Sequence, residues 1–146
     1  MKLLFLLAVW LATPPLLAEQ IITDDLGNVI RLATPPQRIV SLTPHITELI
    51  YAVGAGERLV AAVDYSDYPG AATRLPRIGN AERVDHERLL QLQPDLIIAW
   101  GSGTPAREIA ALRRLGIPLY LSEPRRLHAI GAQLRAFGEI AGTSAQ

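Results

Sequence analysis

A glycine turn between an apolar stretch and an amphipathic stretch is the pattern in this sequence that most suggests chemistry. In "DLIIAWGSGTPAREIAALRRLG", the spacing Gly101-x-Gly103-x-x-Ala106 follows a predicted strand and opens a predicted helix, and Glu123 ends the next predicted strand. In a dinucleotide site such a turn approaches the pyrophosphate, and such an acid binds the ribose hydroxyls. A dinucleotide-binding enzyme that uses Gly101, Gly103 and Glu123 is therefore one hypothesis.

Two features of the same stretch weigh against a nucleotide. The turn is not in the first strand–helix unit, where this fingerprint normally lies. Trp100 directly precedes Gly101, and a large indole at the end of a strand would lie at the crevice where open α/β sheets bind ligands. Trp100 could then form a flat apolar wall. The plainer interpretation is that the glycines only let the chain turn tightly into the helix.

Aromatic residues also follow an earlier predicted strand, in the segment "DYSDYP". Tyr65 and Tyr68 each offer an apolar ring face and a hydroxyl group for hydrogen bonding. Because the carboxyl ends of parallel strands meet at one sheet edge, these tyrosines and Trp100 are expected on the same edge. The alternative is that the tyrosines pack within their loop.

The sequence carries no recognisable catalytic or metal-binding set. His45, His86 and His128 are scattered, there is no cysteine, and no nucleophile-elbow sequence is present, so we expect no enzyme, no protein-built metal site and no cofactor. Glu87 follows Asp85 in the first turn of a predicted helix, where the helix dipole favours a carboxylate on a solvated face.

Strands and helices alternate through most of the chain. After a predicted β-hairpin at 21–32 and a proline-rich linker, uniformly apolar strands are separated by helices, which indicates an α/β fold with a parallel central sheet flanked by helices, a Rossmann-like lobe. The predicted strands are 38–42, 58–63, 95–100 and 117–121. Helices are predicted to start after Thr43, after Asp85 and at Pro105, and a further helix is predicted over 125–142. Thr43 is the expected N-cap of the first helix, with Pro44 at its first position.

The first residues have the form of a secretory signal peptide. Met1-Lys2 precedes the apolar run "LLFLLAVWLA", prolines interrupt the sequence, and cleavage is expected after Ala18. The run has about half of the ~20 residues that a membrane span needs. We therefore expect a soluble periplasmic protein, in a compartment without a ready supply of NAD. The 146 residues suit one domain, and their zero net charge does not suggest a nucleic-acid partner.

Two longer segments resemble a known family. "RIVSLTPHITELIYAVGAGERLVAAVDYSDYP" and "HERLLQLQPDLIIAW" are similar to the first half of periplasmic cobalamin-binding proteins, which are the substrate-binding components of vitamin B12 ABC importers with a helical backbone between two lobes. The resemblance implies a ligand cleft between the lobes, of which this chain would contain only the first. Together with the patterns described above, it divides the chain into a signal peptide at 1–18, a hairpin and linker at 19–37, the lobe at 38–124, and the start of the interlobe helix at 125–146.

The resemblance also assigns roles to single residues. Tyr65 and Trp100 would contact the corrinoid, with Tyr68 close by, and Glu87 would dock onto the inner-membrane permease. Ala81 stands where the family has a cleft tryptophan, so one aromatic wall is missing. The cobalt would arrive with the ligand, and the protein is expected to be a monomer. A ferric-siderophore or haem receptor of the same fold is the alternative, and with its second lobe absent the chain alone should bind its ligand weakly.

Overall fold

The computed structural model describes residues 19–80, 82–125 and 129–143. The predicted signal peptide, Ala81 and His128 lie outside these ranges. Within them, the strands are β1 Gln20–Thr23, β2 Val29–Leu32, β3 Ile39–Ser41, β4 Leu59–Ala62, β5 Gly79–Asn80, β6 Arg83–Val84, β7 Leu96–Trp100 and β8 Leu119–Ser122. The α-helices are α1 Pro44–Ala52, α2 His86–Gln91, α3 Ala106–Arg114 and α4 Ala129–Ala141. None of these helices is long and apolar enough to span a bilayer.

A four-stranded parallel sheet forms the centre of the molecule, in the order β4-β3-β7-β8. Helices cover both of its faces, which explains why the strands are apolar throughout rather than alternating. On one face α1 and α4 bury Ile46, Ile50, Phe137 and Ile140 against the sheet. On the other face α2 and α3 contribute Leu89 and Leu112 to a second cluster. The predicted parallel α/β fold is confirmed.

The β1–β2 hairpin is attached to β8 through two carboxylates at its turn. Asp24 Oδ2 accepts a hydrogen bond from the Leu121 amide at 3.1 Å, and Asp25 Oδ1 accepts one from the Tyr120 hydroxyl at 2.9 Å. Burial of the phenol, and the two carboxylates beside it, raise the pKa of Tyr120 well above its usual range. The hairpin is therefore held to the sheet by polar contacts that come from its turn residues.

Two local features differ from the sequence expectations, and a third agrees with them. Thr43 does occupy the N-cap of α1, but its side chain makes no capping hydrogen bond. The connection after β4 contains a short 3-10 helix at Gly70–Arg74 and the start of the small antiparallel pair β5–β6, neither of which its scattered glycines and prolines indicated. The predicted cap of α2 is present, since Asp85 accepts a hydrogen bond from the Arg88 amide at 3.0 Å.

The last described helix, α4, is an integral part of the sheet's covering layer. Phe137, Ile140 and Ala141 are buried in the cluster that α1 also joins. Gly142 then leaves the helix with φ +66°, a left-handed conformation that favours glycine. The assignment of 125–146 to an interlobe helix stays a prediction. What the structure shows is a helix that packs on the lobe itself.

Candidate functional site

The carboxyl ends of the four parallel strands bring the predicted aromatic residues to one edge. Tyr65 and Tyr68 lie in the loop after β4, His45 lies in the first turn of α1 after β3, and Trp100 ends β7. The loop after β3 therefore lies between the tyrosines and the tryptophan, a separation of two strand spacings, or roughly 10 Å. This is the edge at which open α/β sheets bind ligands.

Trp100 is held in place from two directions. Its indole lies directly against Gly103, where an added Cβ would come within 1.9 Å of Cε3. The ring of His45 stands edge-on to the indole, with the two centroids 5.5 Å apart and the planes at 89°. The indole nevertheless remains 37% exposed. Trp100 is thus an aromatic surface that is packed on two sides and still partly open to solvent.

His45 is an ionisable group in direct contact with this surface. Burial lowers the pKa of its imidazole, because desolvation disfavours the charged form, and the carboxylate of Glu48 opposes the shift only in part. Its Nε2 atom is buried and has no hydrogen-bond partner among the described residues. The ring therefore contacts Trp100 as a neutral imidazole at pH 7.

A concave pocket of about 660 Å³ opens beside the indole, a size typical of small-molecule sites. Its lining residues come from α1, β7, the segment after β8 and α4: His45, Glu48, Leu49, Trp100, Pro124, Arg125, Ile130 and Gln133. Gln133 is only 3% exposed, and its Oε1 has no described partner. The pocket combines an aromatic wall with two buried polar atoms, His45 Nε2 and Gln133 Oε1, that have no hydrogen-bond partner among the described residues.

The amides of Gly101 and Ser102 in the glycine turn are already hydrogen-bonded within the protein. The Gly101 amide donates to the Ser122 carbonyl at 2.9 Å, and the Ser102 amide donates to Glu123 Oε2 at 2.7 Å. The Ser102 hydroxyl donates to the other oxygen of Glu123 at 2.9 Å. Glu123, which a dinucleotide site would use for ribose, therefore closes the turn instead. The structure supports the plainer interpretation of these glycines and disfavours the dinucleotide hypothesis.

Tyr65 projects from a loop that is firmly anchored. It is 83% exposed and adopts φ +65°, a left-handed conformation that is uncommon for a residue with a side chain. Beside it, the buried Ser66 hydroxyl contacts Thr47 Oγ1 at 3.4 Å. Arg77 donates to the carbonyls of Val63 and Ser66 at 3.0 and 2.9 Å. The loop that exposes Tyr65 to solvent is thus held in place by hydrogen bonds from buried and partly buried groups.

Of the predicted site residues, Trp100 lines the pocket, whereas Tyr65, Tyr68 and Glu87 do not. Tyr68, 70% exposed, follows Tyr65 in the same loop. Glu87 is exposed in the first turn of α2, on a helix that His86 ties to the buried Glu108 of α3 through its Nε2 atom. Tyr65, Tyr68 and Trp100 therefore share the sheet edge, whereas Glu87 lies on a separate helix.

Sequence reasoning missed three residues that build this edge. His45 follows a strand directly, and that position was a usable signal. Arg77 and Gln133 reach the site from distant segments, and nothing in their local sequence indicates it. In the ranges that the structure describes, no three of the His, Asp and Glu side chains form a group able to hold a metal ion.

The family model described as "Periplasmic binding protein" matches residues 39–146. The chain belongs to this family. A curated member, the vitamin B12-binding protein of Vibrio cholerae serotype O1, is 48% identical over 102 residues, which are 70% of this chain and 37% of that protein. This periplasmic binding protein thus spans well under half the length of that relative.

Solved structures of the family have the same fold. The periplasmic vitamin B12-binding protein BtuF of Vibrio cholerae is 44% identical and superimposes with a TM-score of 0.69, covering 76% of this chain and 46% of that one. A periplasmic haem-binding protein from Pseudomonas aeruginosa is 27% identical with a TM-score of 0.69, covering 75% of this chain and 40% of that one.

Proposed function

We propose that this chain supplies one wall of a corrinoid site in the substrate-binding component of an ABC importer. The observation that carries the proposal is the row of exposed aromatic residues at the carboxyl edge of the sheet, Tyr65, Tyr68 and Trp100. Flat rings with hydroxyl groups nearby suit a large planar ligand with polar side groups. The identity of 48% with a protein named for vitamin B12 binding favours cobalamin as that ligand.

Capture and delivery need no chemistry on the ligand, so we propose a binding protein rather than an enzyme. The relatives named above are binding proteins. We also propose that the leader at 1–18 directs the chain to the periplasm, where the bound corrinoid would be handed to an inner-membrane permease. Glu87 is proposed to contact that permease, because it is an exposed carboxylate in the first turn of α2 and is not among the residues that line the pocket.

Haem is the second candidate ligand. The Pseudomonas haem-binding protein shares the fold at 27% identity, and an exposed aromatic edge would also suit a porphyrin. Haem sites commonly supply a protein ligand to the iron, such as His or Tyr. Tyr65 is exposed enough to act in this way, whereas Nε2 of His45 is buried.

The test is a comparison of cyanocobalamin, haemin and NAD by NMR on the isotope-labelled chain, at ligand concentrations up to the millimolar range so that weak binding is detected. Cyanocobalamin is expected to shift the indole resonance of Trp100 and the amides around Tyr65, at lower concentrations than haemin, with no response to NAD. Trp100→Ala, which removes the indole resonance, should weaken the shifts of the amides around Tyr65. Leu90→Ala, which alters an exposed apolar residue on α2, should not.

Three results would count against the proposal. Haemin acting at lower concentrations than cyanocobalamin would favour the haem alternative. Saturation by NAD would restore the dinucleotide hypothesis. No response to millimolar cyanocobalamin, or shifts remote from the sheet edge, would remove the corrinoid assignment.

A further inference from the structure

We propose that His45 is a positioning residue that fixes the indole of Trp100 in its ligand-facing orientation. The inference rests on the proposed role of Trp100 as a ligand wall, and it adds a residue that the sequence patterns did not assign to the site. Three features support it: the contact between the two rings, the second contact on the indole, and the place of His45 in the fold.

The two contacts on the indole are complementary. Gly103 allows the indole to lie directly on the backbone of the turn, where an added Cβ would approach Cε3 to 1.9 Å. The imidazole of His45 meets the indole at 89°, with the ring centroids 5.5 Å apart. Edge-to-face pairs at this separation are favourable and depend on angle. Gly103 thus limits movement toward the turn, and His45 limits rotation toward α1.

His45 is itself held rigidly, as a positioning residue must be. It is the second residue of α1, directly after Pro44, and the helix is anchored in the core by Ile46 and Ile50. The end of β3 and the start of the helix are joined by the hydroxyl of Thr47, which donates to Ser41 Oγ at 2.9 Å. The imidazole therefore projects from a fixed backbone onto the edge of the sheet.

The protonation state of His45 suits this role. Burial lowers the pKa of the imidazole, so the ring beside Trp100 is neutral at pH 7. The ring can therefore pack against the indole without burying a charge. The charged side chains in the described pocket lining are Glu48, on the same helix, and Arg125, after β8. In that lining, β7 and α4 contribute the uncharged Trp100, Ile130 and Gln133. Acidification is expected to charge the ring and release the indole.

The test uses the full chain with Trp10→Phe, so that Trp100 is its only tryptophan. Near-UV circular dichroism, emission maximum and acrylamide quenching report the order and exposure of the indole without any ligand. His45→Ala is expected to reduce the near-UV bands, shift the emission to longer wavelength and increase quenching. His45→Phe, which keeps an aromatic ring at the position, should restore most of these signals. Ile50→Val, a core change on the same helix, controls for general loss of stability.

A pH titration distinguishes a positioning role of His45 from simple filling of space beside Trp100. In the parent chain the near-UV signal should titrate with a midpoint below 6.5, the usual pKa of histidine, and the His45→Phe chain should show no such transition. Unchanged indole signals in His45→Ala would overturn the proposal. So would equal changes in Ile50→Val, or a transition that persists in His45→Phe. These signals need no ligand, so the two tests are independent. Failure to bind cyanocobalamin would contradict the proposed function, whereas the indole signals alone decide the positioning role of His45.

Discussion

Gly103 lies so close to the indole of Trp100 that a Cβ at this position would overlap the ring, at 1.9 Å from Cε3 and 2.4 Å from Cδ2. The glycine is therefore required by the neighbouring tryptophan and not by a phosphate. The amides of Gly101 and Ser102 are already bound within the protein. What resembles a nucleotide-binding turn is, in this structure, the support of an aromatic surface.

Gly103→Ala should displace Trp100 from its present position. The added methyl group overpacks the contact, and such changes cost about 1–3 kcal/mol of unfolding free energy. We expect lower stability in urea denaturation and an emission spectrum of Trp100 shifted to longer wavelength. Gly70→Ala is the matched control, because its Cβ would meet nothing within 4 Å and its φ is not positive. Equal effects of the two substitutions would contradict the role given to Gly103.

The order of the central strands and the α-helices was predictable because it depends on local sequence. Apolar runs of strand length, a proline after Thr43 and an acidic cap at Asp85 are signals that lie within a few residues of the element they define. Trp100 and Tyr65 were also found in this way, because each follows a strand, and parallel strands place such residues on one edge.

The supports of these aromatic residues were not predictable, because they depend on distant contacts. Arg77 reaches back to the carbonyl of Val63 across the 3-10 segment, and Gln133 reaches Asp25 from α4 at 3.3 Å. The left-handed conformation of Tyr65 is equally invisible in the sequence, since favourable residues for it are glycine and asparagine. Periodicity locates an element but does not indicate which side chains meet after folding.

Arg77→Ala should loosen the loop that carries Tyr65. The guanidinium donates to the carbonyls of Val63 and Ser66 and to Asp67 Oδ1 at 3.2 Å. Because the group is partly exposed, the loss should be about 1–2 kcal/mol, below the full value for several charge-assisted hydrogen bonds. Hydrogen exchange should increase for the loop amides. The exposed Arg74→Ala should change stability by less than about 0.5 kcal/mol, and loop exchange that is equal in both variants would be inconsistent with this role.

Tyr120 should make the protein sensitive to alkali. The fold raises the pKa of this phenol through burial and the nearby Asp25 and Asp24, so its contribution is intact below pH ~10, the usual tyrosine value, and declines as pH rises further, because the unfolded chain releases the proton first. Tyr120→Phe should cost about 1 kcal/mol at pH 7 through the lost hydrogen bond to Asp25. It should also flatten the fall in stability above pH 10. Tyr51, whose pKa is also raised by burial, should leave a residual slope, and an unchanged slope in Tyr120→Phe would count against the effect.

His45 should have the opposite pH dependence. Because burial lowers its pKa in the folded state, the unfolded chain binds the proton more readily, and stability should decrease as pH falls below 6.5 through the folded-state value. Urea denaturation of the parent chain between pH 7.5 and 4.5 should show this decrease, with carboxylate titration adding to it at the lower end. In His45→Phe the component between pH 6.5 and the carboxylate range should be missing. Its persistence would mean that another group causes it.

Substitutions of Glu87 and of its neighbour His86 should have different effects. The first should change a surface contact, and the second should change the stability of the fold. Glu87 is exposed, and its helix is held to α3 by the contact of His86 with the buried Glu108. Glu87→Gln should therefore change the unfolding free energy by less than about 0.5 kcal/mol and leave the cyanocobalamin shifts unaltered, while reducing association with membrane vesicles that contain a vitamin B12 permease. His86→Ala should cost about 1–3 kcal/mol, because it leaves the Glu108 carboxylate buried without its partner. Unchanged vesicle association in Glu87→Gln, measured by co-sedimentation, would move the docking surface away from α2.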